Sequence, residues 1–173
     1  MNRLFVIASC FVLIASGVPQ VIAAPAPCEQ EEHSQFDFWL GKWTVYSVDG
    51  EKQGTNHLQK IMGSCALQEN WTSAVGSTRG TSFNFYSPVR QSWNQVWIDN
   101  SGGQLFLEGK FKDGQMQLKG NRTTRDGKNV VDRITWTPLE DGRVRQHWEN
   151  SEDKGRNWSV VFDGYYQKDT QSE

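Results

Sequence analysis

From Trp39 onward the chain consists of short runs in which apolar and polar residues alternate. Alternation at a period of two is typical of a β-strand with one buried face and one solvated face. No run shows the apolar spacing of an amphipathic helix. The predicted strands span residues 42–48, 55–62, 65–73, 81–87, 92–99, 104–111, 115–123, 129–137, 143–150 and 157–166.

Turn signals separate these runs at regular spacing. Asp-Gly pairs lie at 49–50, 113–114, 126–127 and 141–142, and such pairs favour tight hairpins because glycine adopts positive φ without steric cost. Hairpin-length connections make successive strands antiparallel neighbours. A long meander closes because closure removes its exposed edges. We therefore expect an all-β, single-domain antiparallel up-and-down barrel of about ten strands.

The alternation also predicts which side chains face the barrel interior. Phe83 and Phe85 alternate with Ser82 and Asn84, so the two phenylalanines are expected inside and their polar neighbours outside. The other side chains expected inside on the same grounds are Ile134, Trp136, Val144, Gln146, Trp148, Trp158, Val160 and Phe162.

The first residues have the layout of a secretory signal peptide. A basic residue near the start precedes an apolar run over 4–18 and the small residues Ala23 and Ala24. The uninterrupted apolar part is shorter than the roughly 20 residues that cross a bilayer. We expect a periplasmic or secreted protein that consists of a signal peptide (1–23), an N-terminal segment (24–35), a barrel domain (36–168) and a flexible tail (169–173).

Composition narrows the possible partners. The formal net charge is −2, and removal of Arg3 with the signal peptide makes it more negative, so we expect no nucleic-acid partner and no membrane insertion after cleavage. Eight tryptophans in 173 residues are large amphipathic rings that fill a core or line a cavity.

Two cysteines, Cys28 and Cys65, remain after removal of the signal peptide. An even pair in an oxidising compartment predicts a disulfide. In the barrel, the turn after the second strand returns to the end at which the first strand begins, so both cysteines are expected at the same end.

The segment 36–43, Phe-Asp-Phe-Trp-Leu-Gly-Lys-Trp, resembles the opening of lipocalin-like (calycin-type) proteins. In that family a short helical turn leads into a first strand with a Gly-x-Trp motif, which is 41–43 here. Stretches such as LQENW, QVWIDNSGG and ITWTPLEDGRVRQHWE resemble a largely uncharacterised family of secreted bacterial proteins of this kind. The resemblance implies an N-terminal helical turn and a late-strand arginine over the motif tryptophan, with Arg143, Arg145 and Arg156 as candidates.

The candidate functional groups are polar residues at strand positions where the alternation predicts an apolar, inward-facing side chain. Glu69, Gln95 and Gln146 each lie among apolar residues of a strand, and a buried carboxylate or amide requires a partner, which is a protein group, a water or a ligand. We expect a small apolar or aromatic molecule to bind inside the barrel. The predicted ligand-binding residues are Glu69, Trp71, Phe83, Phe85, Gln95, Trp97, Trp136, Gln146 and Trp148.

Three alternatives remain open. Glu69 is a candidate acid–base residue of a lipocalin-like enzyme, because burial among aromatic rings raises a carboxyl pKa. One axial histidine would suffice for a haem-binding barrel, and His57 and His147 are the candidates. A structural envelope protein has a filled core. We assign no catalytic residue, no metal site and no cofactor from the sequence.

The predicted strand order also places the mouth of the barrel. The chain start, the turn after strand two and the 141–142 turn lie at one end. The glycine-rich loop 76–80 lies at the other, so we expect the mouth there. Trp71 and Trp97 are expected near it, with Glu69, Gln95 and Gln146 deeper. Asp132 lies near a strand end, where water is expected to reach it.

Overall fold

The computed structural model describes residues 27–169, which form a closed ten-stranded antiparallel barrel. Each strand pairs with the next in the chain, and β1 pairs with β10 to close the cylinder. The strands are β1 (Gly41–Ser47), β2 (Lys52–Ile61), β3 (Ala66–Ser73), β4 (Arg79–Ser87), β5 (Ser92–Asp99), β6 (Gln104–Lys112), β7 (Gln115–Thr123), β8 (Asn129–Pro138), β9 (Val144–Ser151) and β10 (Ser159–Lys168).

The predicted fold class is confirmed. The strand bounds differ most at β2, which begins at Lys52 rather than at residue 55. Two single-turn 3-10 helices, η1 (Glu31–Ser34) and η2 (Asp37–Trp39), precede β1. The predicted signal peptide, residues 24–26 and the last four residues of the predicted tail lie outside the described residues.

An aromatic plug fills the barrel end at which β1 begins, which we call the closed end. Phe36 and Trp39 lie before β1 and are fully buried, with 5.0 Å between their ring centroids. The Trp136 ring packs against Trp39 in a tilted arrangement, with 5.1 Å between their centroids. The Trp43 indole N–H donates to the Trp39 carbonyl oxygen at 2.9 Å. Rings in contact at these distances exclude water, so this end of the barrel is sealed.

A lysine, rather than an arginine, covers the tryptophan of the Gly-x-Trp motif. Lys168 pairs with Trp43 in the β1–β10 register, and its Nζ lies 5.3 Å from the Trp43 ring centroid. A cation at this distance is attracted to the ring face. The expectation that an arginine covers this tryptophan is therefore wrong for Arg143, Arg145 and Arg156, because Lys168 occupies the position.

The predicted disulfide is confirmed. Cys28 and Cys65 are bonded, with 4.9 Å between their Cα atoms. Cys65 lies in the turn after β2, at the closed end, so the bond ties the segment before η1 to the barrel wall beside the plug.

The prediction of which β4 side chains face the barrel interior is wrong. Phe83 and Phe85 point outward and are 41% and 37% exposed, whereas Ser82 and Asn84 are fully buried. The register explains the inversion, because Ser82 lies directly opposite Glu69 on β3. A buried carboxyl without hydrogen-bond donors costs several kcal/mol, so the polar face of β4 turns inward and leaves the two phenylalanines half-exposed.

The prediction of which side chains on and just before β10 face the barrel interior is only partly correct. The β9–β10 register shifts between Val160 and Phe162, so Phe162 faces the interior whereas Val160 is 60% exposed. Trp158 lies outside the barrel, where the Arg133 guanidinium carbon is 3.8 Å from its ring centroid. A bulge of this kind reverses the orientation of side chains on its far side.

The loops at the other end connect β1 to β2, β3 to β4, β5 to β6, β7 to β8 and β9 to β10. We call this the open end, and it includes the loop 76–80. Within residues 27–169, no helix is long and apolar enough to cross a membrane.

Candidate functional site

A cavity of about 140 Å³ lies inside the barrel between the aromatic plug and the open end. Its walls are mostly aromatic and aliphatic, with four polar residues among them. The apolar lining residues are Trp71, Trp97, Leu105, Ile134, Trp148 and Phe162, and the polar ones are Glu69, Gln95, Gln146 and Tyr166.

Two glycines keep the rings of the cavity wall against the sheet. A Cβ on Gly80 would lie 2.1 Å from the Trp97 ring, and a Cβ on Gly54 would lie 2.6 Å from the Trp71 ring. Each indole therefore packs directly against a glycine of the neighbouring strand. This arrangement leaves the middle of the barrel open, because any side chain at either glycine would push the ring inward.

One arm of a hydrogen-bonded chain runs from Glu69 across β4 to β5. The Ser82 hydroxyl donates to Glu69 Oε2 at 2.6 Å, and Asn84 Nδ2 donates to Ser82 Oγ at 2.8 Å. Gln95 Nε2 then donates to Asn84 Oδ1 at 2.8 Å. The side chains meet because Glu69 is opposite Ser82 and Asn84 is opposite Gln95 in the register.

The other arm runs from Glu69 to β2, β10 and β9. Asn56 Nδ2 donates to Glu69 Oε1 at 2.7 Å and also lies 3.4 Å from the Tyr166 hydroxyl oxygen. The Tyr166 hydroxyl donates to Gln146 Oε1. Together the two arms join residues of six strands into one chain, with Glu69 in the middle and a glutamine at each end.

Burial sets the electrostatics of Glu69. Its side chain is 4% exposed, and desolvation raises its pKa to about 7, although the hydrogen bonds from Ser82 and Asn56 oppose this shift. Burial also raises the pKa of Tyr166 well above its ordinary value, and the nearby Glu69 charge adds to this effect. Tyr166 therefore stays a protonated hydrogen-bond donor, whereas Glu69 exchanges its proton near neutral pH.

A second buried carboxyl in the barrel, Asp132 on β8, differs from Glu69 because it has a cationic partner. Arg122 Nε donates to Asp132 Oδ2 at 2.6 Å, and the Trp148 indole N–H donates to Asp132 Oδ1 at 2.8 Å. The expectation of water at Asp132 is wrong, because its side chain is 1% exposed and sealed by these two partners. Among residues 27–169, no lysine, arginine or histidine pairs with Glu69.

The structure brings most of the predicted site residues together. Those that line the cavity are Glu69, Trp71, Gln95, Trp97, Gln146 and Trp148. Trp136 belongs to the plug, and Phe83 and Phe85 lie on the outer surface, so these three do not line it.

Sequence reasoning missed several of the interior groups. Asn56 shares a strand phase with the buried Leu58, which is a signal that could have identified it. Ser82 and Asn84 were assigned to the wrong face. The buried Glu69 opposite Ser82 would have corrected this assignment, once the pairing register was known.

The histidines lie away from the cavity. His57 alternates with the buried Asn56 and Leu58 on β2, and His147 Nδ1 lies 3.3 Å from Asp163 on the outer surface. His33 is buried against Tyr86, with 5.3 Å between ring centroids. The cavity wall formed by the described residues therefore offers no imidazole to haem iron, and residues 27–169 contain no cluster of three or more metal-ligating side chains.

No protein-family model matches the sequence, and no curated protein matches it either. The fold and the site therefore define the class: a closed ten-stranded antiparallel β-barrel, consistent with a lipocalin-like fold, with a buried polar chain beneath an aromatic-walled cavity.

Proposed function

We propose that this protein is an exported lipocalin-like barrel that binds a small apolar or aromatic molecule in its interior cavity. The observation that carries the proposal is the cavity itself. Aromatic and aliphatic faces form most of its wall, and a few convergent polar groups lie among them, which is the usual composition of small-molecule sites.

The cavity volume limits the size of the ligand. An apolar protein cavity of roughly 150 Å³ accommodates one benzene molecule, and the cavity here measures about 140 Å³. A single six-membered ring therefore fills most of this space. A larger ligand would extend past Trp71 and Trp97 toward the open-end loops.

The proposed export rests on the leader sequence and the disulfide. Residues 1–23 have the charge and apolar pattern of a signal peptide, and the Cys28–Cys65 bond is of the kind that forms in oxidising compartments such as the periplasm. Membership of the secreted bacterial family that the sequence resembles is part of the same proposal.

A cavity-filling variant tests the binding. Leu105 lines the cavity, whereas its neighbour Phe106 is 61% exposed on the outer surface. Fluorobenzene is titrated into the protein, and binding is followed by ¹⁹F NMR. We expect saturable binding to the unaltered protein and to Phe106→Trp, and none to Leu105→Trp. Equal binding to both variants, or none to the unaltered protein, would overturn the proposal.

Acid–base catalysis by Glu69 is a second candidate function, because a carboxyl with a pKa of about 7 exchanges protons efficiently at neutral pH. Compounds extracted from natively expressed protein distinguish the two functions. A binding protein returns its ligand chemically unchanged after prolonged incubation. An enzyme converts it, with a rate that depends on pH near 7 and is lost in Glu69→Gln.

A further inference from the structure

The strongest unexplained feature of the cavity is a buried carboxyl without a cation. Buried charges in proteins are almost always paired, and the barrel follows this rule at Asp132, which pairs with Arg122. Glu69 lines the cavity and receives only the neutral donors Ser82 and Asn56 among the described residues. When Glu69 is ionised, no residue in the described part of the chain neutralises its charge.

Several hydrogen-bond acceptors around Glu69 have unused capacity. A carboxylate accepts up to about four hydrogen bonds, and two of these positions on Glu69 are filled. Asn56 Oδ1 is buried and has no partner within residues 27–169. Gln95 lines the cavity and uses its Nε2 for Asn84, which leaves its Oε1 as a further acceptor. A ligand that donates several N–H groups would satisfy these acceptors.

The aromatic walls favour the same ligand. Trp71 and Phe162 meet edge to face with 6.2 Å between their centroids, and Trp97 and Trp148 line the same cavity. Aromatic faces attract cations through their quadrupoles, most strongly where water is excluded, and groups of such rings recognise ammonium ligands.

We propose that the cavity binds a small amine in its ammonium form, with its N–H groups on Glu69 and its apolar part against Trp71, Trp97 and Phe162. This inference rests on the proposed function and specifies its ligand class. The bound ammonium group supplies the counter-charge that the described residues lack, so Glu69 is ionised in the complex.

Near neutral pH, any pH dependence of ligand binding should come from the ionisation of Glu69 itself, because the groups that face it do not change their charge there. Asn56 on β2 and Ser82 on β4 do not titrate, and burial holds the pKa of Tyr166 well above its ordinary value. Asp132 and Arg122 form a closed pair on β7 and β8. Binding of an ammonium ion should therefore strengthen as Glu69 ionises, up to the range in which the amine loses its own proton, roughly pH 10.

Three matched probes test the ligand class: benzylamine, its neutral isostere benzyl alcohol and the anion benzoate. Isothermal titration calorimetry at pH 8 should show benzylamine binding at least about tenfold more tightly than benzyl alcohol, and no benzoate binding. Glu69→Gln should remove the preference and retain benzyl alcohol. Glu108→Gln, which removes a carboxylate from the outer surface beside Arg90, should leave the preference unchanged.

A pH series on the unaltered protein provides a second test that does not depend on how Glu69→Gln folds. Because the pKa of Glu69 is about 7, benzylamine affinity should rise about tenfold from pH 6 to pH 8, whereas benzyl alcohol affinity should not rise. If benzyl alcohol bound as tightly as benzylamine, the ammonium proposal would be overturned and small-molecule binding would stand. If neither probe bound, both proposals would be overturned.

Discussion

Ser82 donates its hydroxyl hydrogen to Glu69, with 2.6 Å between Oγ and Oε2, and neither residue is more than 4% exposed. The two residues are directly opposite in the β3–β4 register. This contact explains why β4 turns its polar face inward, and it makes Glu69 the centre of a hydrogen-bonded chain rather than an isolated buried charge.

Removing that donor should be costly. Ser82→Ala leaves the Glu69 carboxylate with one neutral donor, so we expect the free energy of unfolding at pH 8 to fall by roughly 1–3 kcal/mol and the pKa of Glu69 to rise above 7. Urea denaturation and a ¹³C NMR titration of the carboxyl measure these changes. Ser159→Ala, at an exposed β10 position, is the matched control. If Ser159→Ala lost as much stability as Ser82→Ala, the hydrogen bond to Glu69 would not be the cause of the loss.

Glu69 should also make stability depend on pH in a specific direction. Its folded-state pKa of about 7 lies above the unfolded value of 4.5, so the folded state binds the proton more tightly than the unfolded state. The folded protein should therefore lose about 3 kcal/mol of stability, relative to Glu69→Gln, as pH rises from 4.5 to 7. Urea denaturation of both proteins across this range measures the difference. Parallel pH profiles would contradict the burial of an unpaired carboxyl.

The Cys28–Cys65 bond should contribute substantially to stability. In the chain-entropy description a loop of this length is worth about 4 kcal/mol, because the bond restricts the unfolded chain. The double variant Cys28→Ser/Cys65→Ser should lose about that much in urea denaturation. Mass spectrometry of non-reduced peptides from the exported protein should show the two segments linked, and free thiols there would contradict the pairing.

The contact between Gly80 and Trp97 should control the free space in the barrel. In Gly80→Ala the added Cβ collides with the indole, so we expect a loss of roughly 1–3 kcal/mol and weaker fluorobenzene binding. Because the Trp97 ring is the group that the added Cβ meets, Gly80→Ala should cost much less stability when it is added to Trp97→Leu than when it is added to the unaltered protein. An equal cost in both backgrounds would show that the ring is not the cause.

The closed barrel could be predicted from the sequence because its signals are local. Alternation and the Asp-Gly turns specify strands and hairpins within a few residues, and a sequential meander needs little long-range information. The orientation of β4 could not be predicted in this way, since it depends on Glu69, thirteen residues before Ser82 in the chain. If hydrophobicity alone decided, Phe83 and Phe85 would face the interior in preference to Ser82 and Asn84.

The cavity could be predicted in part for the same reason. Trp71, Trp97 and Trp148 each lie two positions from one of the polar residues that interrupt an apolar run, and the structure places them in the cavity wall. Trp136 was expected among them, but it packs on Trp39 in the plug, and depth along the barrel axis is not encoded by a period of two. The sequence did not identify Tyr166, whose hydroxyl joins the polar chain through Gln146 on the adjacent strand and through Asn56, 110 residues earlier in the chain.

The distribution of the eight tryptophans offers the most direct test of the central claim, that the cavity near the open end binds a ligand. Trp71, Trp97 and Trp148 line it, whereas Trp39, Trp43, Trp93 and Trp136 are buried at the closed end and Trp158 is outside. In protein labelled with ¹⁵N at the indole nitrogens, titration with fluorobenzene should shift the signals of the three cavity tryptophans and leave those of the plug in place. Shifts confined to the plug tryptophans, or no shifts at saturating probe, would contradict the claim.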